Sequence, residues 1–337
     1  MNFDEFIKNI QIDKTRIVGR LPIIWVFGSC KDIADINQNK HPKNPCSVDF
    51  KLFENTCSFR GRFIQWLKSD NSNSEHKNLI MQEYDLHIPE DYPEWSNRVR
   101  PSYTNLVDFE LDIISISQLA IIFSESIGTY VEIGALSCHP LIHQNLLIIS
   151  PPEYISADNS SFFNYGAIHK IKSNQISEEL TNIWALPNKW KEWNLNPISN
   201  IEDIAKHFRE ITEHCVDILT GNNQKQLLNI KNREHIFLLI VDLLDLFPKQ
   251  TLLGIQKLLL PFKSCYEKKE LEVMINCLSM LKIIQSQQIG KNTLFSLHDK
   301  FRYKSCIDYT GTNAKKFDRV DFKLDLKRSR AKSIIRK

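Results

Sequence analysis

The chain has 337 residues, 42% of them hydrophobic and 25% charged, with a formal net charge of +3. That balance is ordinary for a globular protein, and no apolar stretch reaches the roughly 18 residues that a bilayer span requires, so no membrane partner is expected. Met1–Asn9 mixes acids with apolar residues instead of forming a basic-then-apolar leader, and a cytoplasmic protein is expected. Eight cysteines (30, 46, 57, 138, 215, 265, 277 and 306) include no C-x-x-C pair. A chain of this length needs no disulfide staples, so reduced, structural thiols are expected.

In chain order, the first strand falls at Ile23–Phe27 and ends at Gly28-Ser29-Cys30, a small-residue turn that would face a ligand crevice. Phe50, Phe53, Phe63 and Leu67 recur near helical spacing and predict a helix over Val48–Leu67. A polar loop at Ser69–Lys77 then leads to a second strand, Leu79–Gln82. Pro89–Pro101, rich in proline and aromatics, reads as an irregular loop placed to cover the site. Leu106–Gln118 reads as a helix, Leu119–Phe123 as a central strand and Thr129–Cys138 as a helix carrying Glu132. Leu146–Ile149 is a further strand, stopped by Pro151-Pro152, and Ser160–Gly166 opens a helix or turn bordering the same crevice. Strands alternating with helices at this spacing predict an α/β fold with a doubly wound parallel sheet.

After about residue 175 the texture changes. Trp184, Trp190 and Trp193, with Pro187 and Pro197, mark an irregular connector. Ile201, Ile204, Phe208, Ile211, Cys215 and Ile218 then step by three and four residues, an amphipathic helix ended by Gly221-Asn222-Asn223. Three more helices are expected at His235–Leu246, Thr251–Leu260 and Lys268–Gln285, followed by Gly290 and strands at Thr293–Leu297 and Phe301–Cys306. Three helices and a small ribbon resemble a winged-helix arrangement, and short helical repeats would look similar. Thr312–Lys337 carries ten Lys/Arg against three Asp, which favours phosphates. The expected organisation is an α/β domain over 1–175, a connector with an amphipathic helix over 176–230, and a helical domain with a basic tail over 231–337.

The strongest chemical signal is Gly128-Thr129-x-x-Glu132-x-Gly134, directly after the central strand. Gly128 would permit a tight turn and close ligand approach, and the amides beyond it suit a phosphate or carboxylate. Glu132 would stand near the crevice at the carboxyl end of a parallel strand, placed to attack or stabilise the anomeric carbon of a ribose. The same residues also read as a helix cap, with Ser126 or Thr129 as cap and a glutamate closing the box. Ser124 and Glu125 could contact ribose hydroxyls, or simply form a solvated strand end. Asn164 and Tyr165 could hold a base or sugar, or form a turn with a buried hydroxyl. His139 and His143 are spaced as a pair but lack an acidic third ligand, so no metal is expected. Arg60 and Arg62 could reach a pyrophosphate, although a solvated helix face is expected for at least one of them. G-x-S-x-G, G-x-x-x-x-G-K-[ST] and H-E-x-x-H are all absent.

Ile121–Leu136, IIFSESIGTYVEIGAL, resembles the catalytic segment of the nucleoside 2-deoxyribosyltransferase family, in which an apolar strand leads into a G-T-x-x-E-x-G helix. The S-E-S-x-G-[ST]-x-x-E-[IL]-G-A form, together with Phe162-Phe163-Asn164-Tyr165-Gly166, more closely resembles the toxic effectors of bacterial retron antiphage systems. That resemblance implies a deoxyribosyltransferase-like N-glycosidase domain joined to a winged-helix-like domain, with Glu132 as nucleophile or oxocarbenium stabiliser. It implies NAD as substrate, cleaved at the nicotinamide–ribose bond, and no cofactor. Gly28, Ser29, Ser124, Glu125, Ser126, Gly128, Thr129, Asn164 and Tyr165 are the implied substrate contacts. The implied partners are a retron reverse transcriptase and its RNA–DNA hybrid, with nucleic acid held by the basic C-terminal region, and a higher-order assembly is expected.

The transferases carry an aspartate where this chain reads Ser117-Gln118-Leu119, and their first-strand tyrosine is not evident in Ile24–Gly28. Both departures favour hydrolysis over faithful base exchange. The alternatives are a metabolic deoxyribosyltransferase and a non-catalytic, nucleotide-sensing module that binds nucleic acid.

Overall fold

The computed structural model describes residues 2–28, 58–69, 74–92, 103–174, 180–195, 199–221, 225–263, 266–301, 305–312 and 317–335. Helix α1 (Phe3–Asn9) leads directly into strand β1 (Ile10–Ile17), and β2 (Leu21–Phe27) follows. Helices α2 (Phe59–Lys68) and α3 (Glu75–Glu83) precede β3 (Asp85–His87), and α4 (Leu106–Ile116) leads into β4 (Ser117–Phe123). Next come α5 (Ile127–Leu136), β5 (Leu146–Ser150), a π-helical segment at Phe163–Ile168, and β6 (Ile183–Ala185). Helix α6 (Ile201–Gly221) is followed by the short strand β7 (Gln226–Leu227) and by α7 (Arg233–Leu246), α8 (Leu252–Leu259) and α9 (Lys268–Met280). Strands β8 (Ile284–Ile289), β9 (Asn292–Leu297) and β10 (Ile307–Gly311) precede the last helix, α10 (Arg319–Ile335).

One compact unit comprises the described residues within 22–99 and 105–222. Its centre is a five-stranded parallel sheet in the order β3-β2-β4-β5-β6. The chain steps from β2 to β3 on one side, then returns past β2 and proceeds through β4, β5 and β6. The reversal between β2 and β4 is a topological switch point, and open α/β sheets hold their ligands at the carboxyl ends of the strands there. Strand residues are buried on both faces: Ile24, Val26, Ile121 and Phe123 on one, Ile23, Trp25, Ala120 and Ile122 on the other. Such strands read as continuous apolar runs, which is why β2, β4 and β5 are visible in the sequence. On the first face, Phe59, Phe63 and Trp66 of α2 join Ile204, Phe208, Ile211 and Cys215 of α6 in one core. Helix α4 touches β4 and α5.

The second unit comprises the described residues within 1–21, 100–104 and 223–337. Here β1 pairs antiparallel with both β10 and β7, in the order β10-β1-β7. Phe6 of α1 meets Phe247, Tyr309, Phe317 and Phe322 at ring centroid distances of 5.1–5.5 Å. Helices α7, α8 and α9 are followed by the antiparallel hairpin β8–β9, whose turn places Gly290 at φ +59°. That left-handed conformation suits glycine. The basic tail begins as α10, and Arg319 and Lys323 point inward. Arg319 bonds Asp242 and Asp245 (2.5 and 2.9 Å), and Lys323 bonds Asp245 at 2.6 Å. Lys327 and Arg328 remain exposed.

Several sequence expectations change. The units divide differently from the expected 1–175, 176–230 and 231–337. Residues 1–21 join the C-terminal unit, because β1 supplies the strand that β10 and β7 need and Phe6 fills an aromatic core. Helix α6, expected in a connector, belongs to the α/β unit through its apolar stripe. Leu79–Gln82, expected as a strand, lies inside α3, with Ser74 capping the helix start through Lys77 N; the strand is Asp85–His87. Helix α9 stops at Met280, and the hairpin pairs Ile284–Ile289 with Asn292–Leu297. Phe301 closes a 3₁₀ turn instead of opening a strand. Of the helix expected over Val48–Leu67, residues 48–57 lie outside the described residues.

Candidate active site

Helix α5 begins two residues earlier than its sequence suggests, and its cap decides what Glu132 is free to do. Ser126 is the N-cap: its Oγ accepts from Thr129 N at 3.4 Å, while Thr129 Oγ1 accepts from Ser126 N at 3.1 Å. The capping box is thus closed by threonine, and the glutamate has no part in it. Gly128 lies inside the first helical turn, so it makes no left-handed turn here. A Cβ at Gly134 would meet nothing within 4 Å, so the space beside it is open.

Glu132 therefore sits in the second turn of α5, half-buried, at the end of the sheet where β4 delivers its chain. Its Oε2 is buried and has no hydrogen-bond partner among the described residues. Burial pushes the Glu132 carboxyl above its usual range; Arg60 pulls it back down, and Glu90 pushes it further up. Glu110, buried in the second turn of α4, is pushed to about 8, first by burial and then by the charge of Glu132.

Arg60 organises this end of the sheet. Its Nε and Nη2 donate to the carbonyl of Val26 (3.1 and 2.8 Å), the penultimate residue of β2, and its Nη1 and Nη2 bond the Glu90 carboxylate at 2.8 and 2.7 Å. The aliphatic stem lies over Gly28, where a Cβ would come within 2.4 Å of Arg60 Cδ. Gly28 is thus required by the arginine passing over it, as close approach requires. Arg62 is also buried, with Nη1 donating to the Trp193 carbonyl at 3.3 Å. Neither arginine forms the solvated helix face that was expected for at least one of them.

The start of α2 is fully satisfied. Glu125 accepts the amides of Phe59 and Arg60 at 2.8 and 2.7 Å, Ser58 Oγ accepts Gly61 N at 3.0 Å, and the Ser58 carbonyl accepts Arg62 N at 3.2 Å. The first three amides are orphan donors of a helix N-terminus, and the fourth makes the first bond of the helix itself. Burial raises the Glu125 carboxyl to about 7, against the lowering pull of those two amides and of Arg60 and Arg62. Ser124 is fully buried, its Oγ donating to the Ile149 carbonyl at 3.3 Å, and Tyr130 donates to the Ser124 carbonyl at 3.0 Å.

The Phe162–Gly166 motif packs beside α5 through Phe163, whose ring lies 4.9 Å from that of Tyr130. Asn164 turns inward, its amide donating to the carbonyls of Ser156 and Asn159 at 2.8 and 2.9 Å. Tyr165 is largely exposed, its hydroxyl 3.4 Å from the Ala157 carbonyl. His143 is buried against the Ser137 carbonyl at 3.0 Å. Ser29 lies outside the described residues.

The structure thus gathers Glu132, Arg60 and two unanticipated acids, Glu90 and Glu110, while the Ser124 hydroxyl, both Glu125 oxygens and the Asn164 amide nitrogen bond the protein itself. Helix α4 carries acids at 108, 110 and 112, and successive alternate positions lie about 200° apart on a helix, so the three cannot share one solvent face. That spacing was the available signal for Glu110.

The family model of the STM3845 retron effector protein matches residues 56–286, about two-thirds of the chain and the whole span from α2 to α9. The chain belongs to this retron effector family. No curated protein matches it. Membership makes the protein an antiphage effector associated with a retron system, and the matched span includes Arg60, Glu90, Glu110, Glu125 and Glu132. No helix among the described residues is long and apolar enough to cross a membrane.

Proposed function

We propose that this retron effector is an N-glycosidase that hydrolyses NAD to nicotinamide and ADP-ribose, with Glu132 as the nucleophile or the stabiliser of the oxocarbenium-like transition state. The observation that carries the reading is the buried Glu132 Oε2, without a hydrogen-bond partner among the described residues, at the switch-point end of a parallel sheet. Burying an acceptor unpaired is costly, and such groups concentrate where they do chemistry. A carboxylate can serve glycoside cleavage in either role.

The acids around Glu132 favour a cationic substrate. NAD carries a positive pyridinium on the ribose carbon that reacts, and this charge would offset the burial that now raises the Glu132 carboxyl. Nicotinamide then leaves as a neutral ring and needs no proton. The pyrophosphate would use the amides at the start of α5. On this reading the α/β unit is a doubly wound, deoxyribosyltransferase-like domain. The α7–α9 helices with the β8–β9 hairpin form a winged-helix-like element, held with the basic tail against the reverse transcriptase and its RNA–DNA hybrid.

Incubating the full chain with NAD, and separately with deoxynucleosides plus free bases, tests the proposal. Release of nicotinamide and ADP-ribose supports it. Base exchange between deoxynucleosides with NAD untouched would replace it with transferase activity.

A further inference from the structure

Glu110 and Glu132 occupy equivalent places on two helices. Each lies in the second turn of its helix, α4 and α5 touch, and both helices start from the carboxyl end of the sheet. Glu110 is only 6% exposed. Among the described residues no hydrogen bond or ion pair reaches its carboxyl. A buried acid with no partner, next to a half-buried acid with one bare, buried oxygen, is costly as mere packing: an apolar residue would be cheaper there. Arg60, the cation that acts on Glu132, is committed to Val26 and Glu90.

We propose that Glu110 is the acid–base partner of Glu132, carrying a proton in the resting site and accepting the proton of the attacking water in hydrolysis. The assignment rests on the N-glycosidase reading above and adds to it the residue that makes the enzyme a hydrolase. In the first step a Glu132 oxygen bonds to the ribose C1. The C1–N bond to the pyridinium breaks, its electron pair passes to the ring nitrogen, and neutral nicotinamide departs. Glu132 is now an uncharged ester, so of the two causes that hold the Glu110 proton, burial and the charge of Glu132, the second is gone; the Glu110 carboxyl falls and releases its proton to solvent. In the second step the Glu110 carboxylate takes a proton from water as the water oxygen bonds to C1. The C1–O bond to Glu132 breaks, returning its electron pair to the carboxylate. One water is consumed and one proton released per turnover, and the pair regains its starting state. The Glu110 carboxyl, raised first by burial and then by the neighbouring Glu132, accords with this resting state.

The test uses the full chain with NAD, rapid quench and intact-mass measurement. In Glu110→Gln the first step should survive, giving a burst of about one nicotinamide per site, while steady hydrolysis falls by about 10²-fold or more. The ADP-ribosyl adduct should accumulate on Glu132. Azide needs no base to attack, so it should restore turnover in Glu110→Ala with formation of the azido sugar. Glu110→Asp should retain part of the activity and guards against a variant that fails to fold. Parental hydrolysis by Glu110→Gln overturns the assignment. So does a folded variant with neither burst nor azide rescue, which would make Glu110 a positioning residue. A parent protein that leaves NAD intact refutes the N-glycosidase reading itself. An active parent that loses its activity in Glu132→Gln but keeps it in Glu110→Gln refutes only the role of Glu110.

Discussion

Replacing Glu110 by glutamine should stabilise the α/β unit, and only at high pH. The Glu110 carboxyl titrates at about 8 in the folded chain, against an ordinary value of 4.5. Between those values the folded state holds a proton that the unfolded state lacks, so stability falls as pH rises through the window, and the full cost is reached above pH 8. At about 1.4 kcal/mol per pH unit the interval sets a ceiling near 5 kcal/mol. Sharing of the perturbation with Glu132 reduces the expected gain to about 2–4 kcal/mol. Glutamine keeps the shape without the charge. All six tryptophans lie between residues 25 and 193, so their fluorescence in a urea titration follows the α/β unit. With a slope of about 2 kcal/mol per molar urea, Glu110→Gln should raise the midpoint by about 1–2 M at pH 8.5 and leave it unchanged at pH 4.5. Equal shifts at both pH values, or a loss of stability at pH 8.5, would refute the buried-charge argument.

Three further outcomes follow from the geometry. Glu125→Ala removes the acceptor of two α2 amides and should cost about 1–3 kcal/mol in the same urea titration, whereas Glu125→Gln keeps an acceptor for one amide, turns its NH2 against the other, and should recover only part of that loss. Asn164→Ala breaks two bonds to the carbonyls of Ser156 and Asn159 and should lower Tm, at a cost of about 1–2 kcal/mol, with near-parental nicotinamide release from the folded protein. Arg319→Ala strands the buried Asp242 without its cation and should cost about 3–5 kcal/mol, read as faster amide exchange in β10, where Tyr309 also bonds Asp242.

The central strands were legible because parallel strands buried on both faces are unbroken apolar runs, and Leu119–Phe123 stands out even without its neighbours. Helix α6 was equally plain from its three-and-four spacing, but its partner was not, since a stripe says that a face is buried and not against what. The N-terminal strand escaped notice because Ile10–Ile17 alternates weakly and completes a sheet with residues some 300 positions away. Leu79–Gln82 misled because a short apolar run fits strand and helix alike, and the Ser74 cap decided for helix.

At the site, the sequence placed Glu132 correctly at the helix start after β4 but could not tell a capping glutamate from a free one. That distinction lay in which residue, Ser126 or Thr129, took the cap. Ser124, Glu125 and Asn164 looked like ligand contacts because polar residues at strand ends and turns do both jobs. In the fold the Ser124 hydroxyl, both Glu125 oxygens and the Asn164 amide nitrogen bond the chain itself. Arg60 and Glu90 come together across thirty residues, a pairing that no local pattern encodes.

The central claim is that Glu132 performs the bond cleavage. Nicotinamide release from NAD by the full chain, compared between the parent and Glu132→Gln at matched tryptophan-fluorescence urea midpoints, tests it most directly. Because glutamine keeps the shape and the Ser126–Thr129 cap is independent of residue 132, the variant should fold as the parent does and lose about 10²-fold or more of the rate. A folded Glu132→Gln protein that releases nicotinamide at the parental rate would contradict the account.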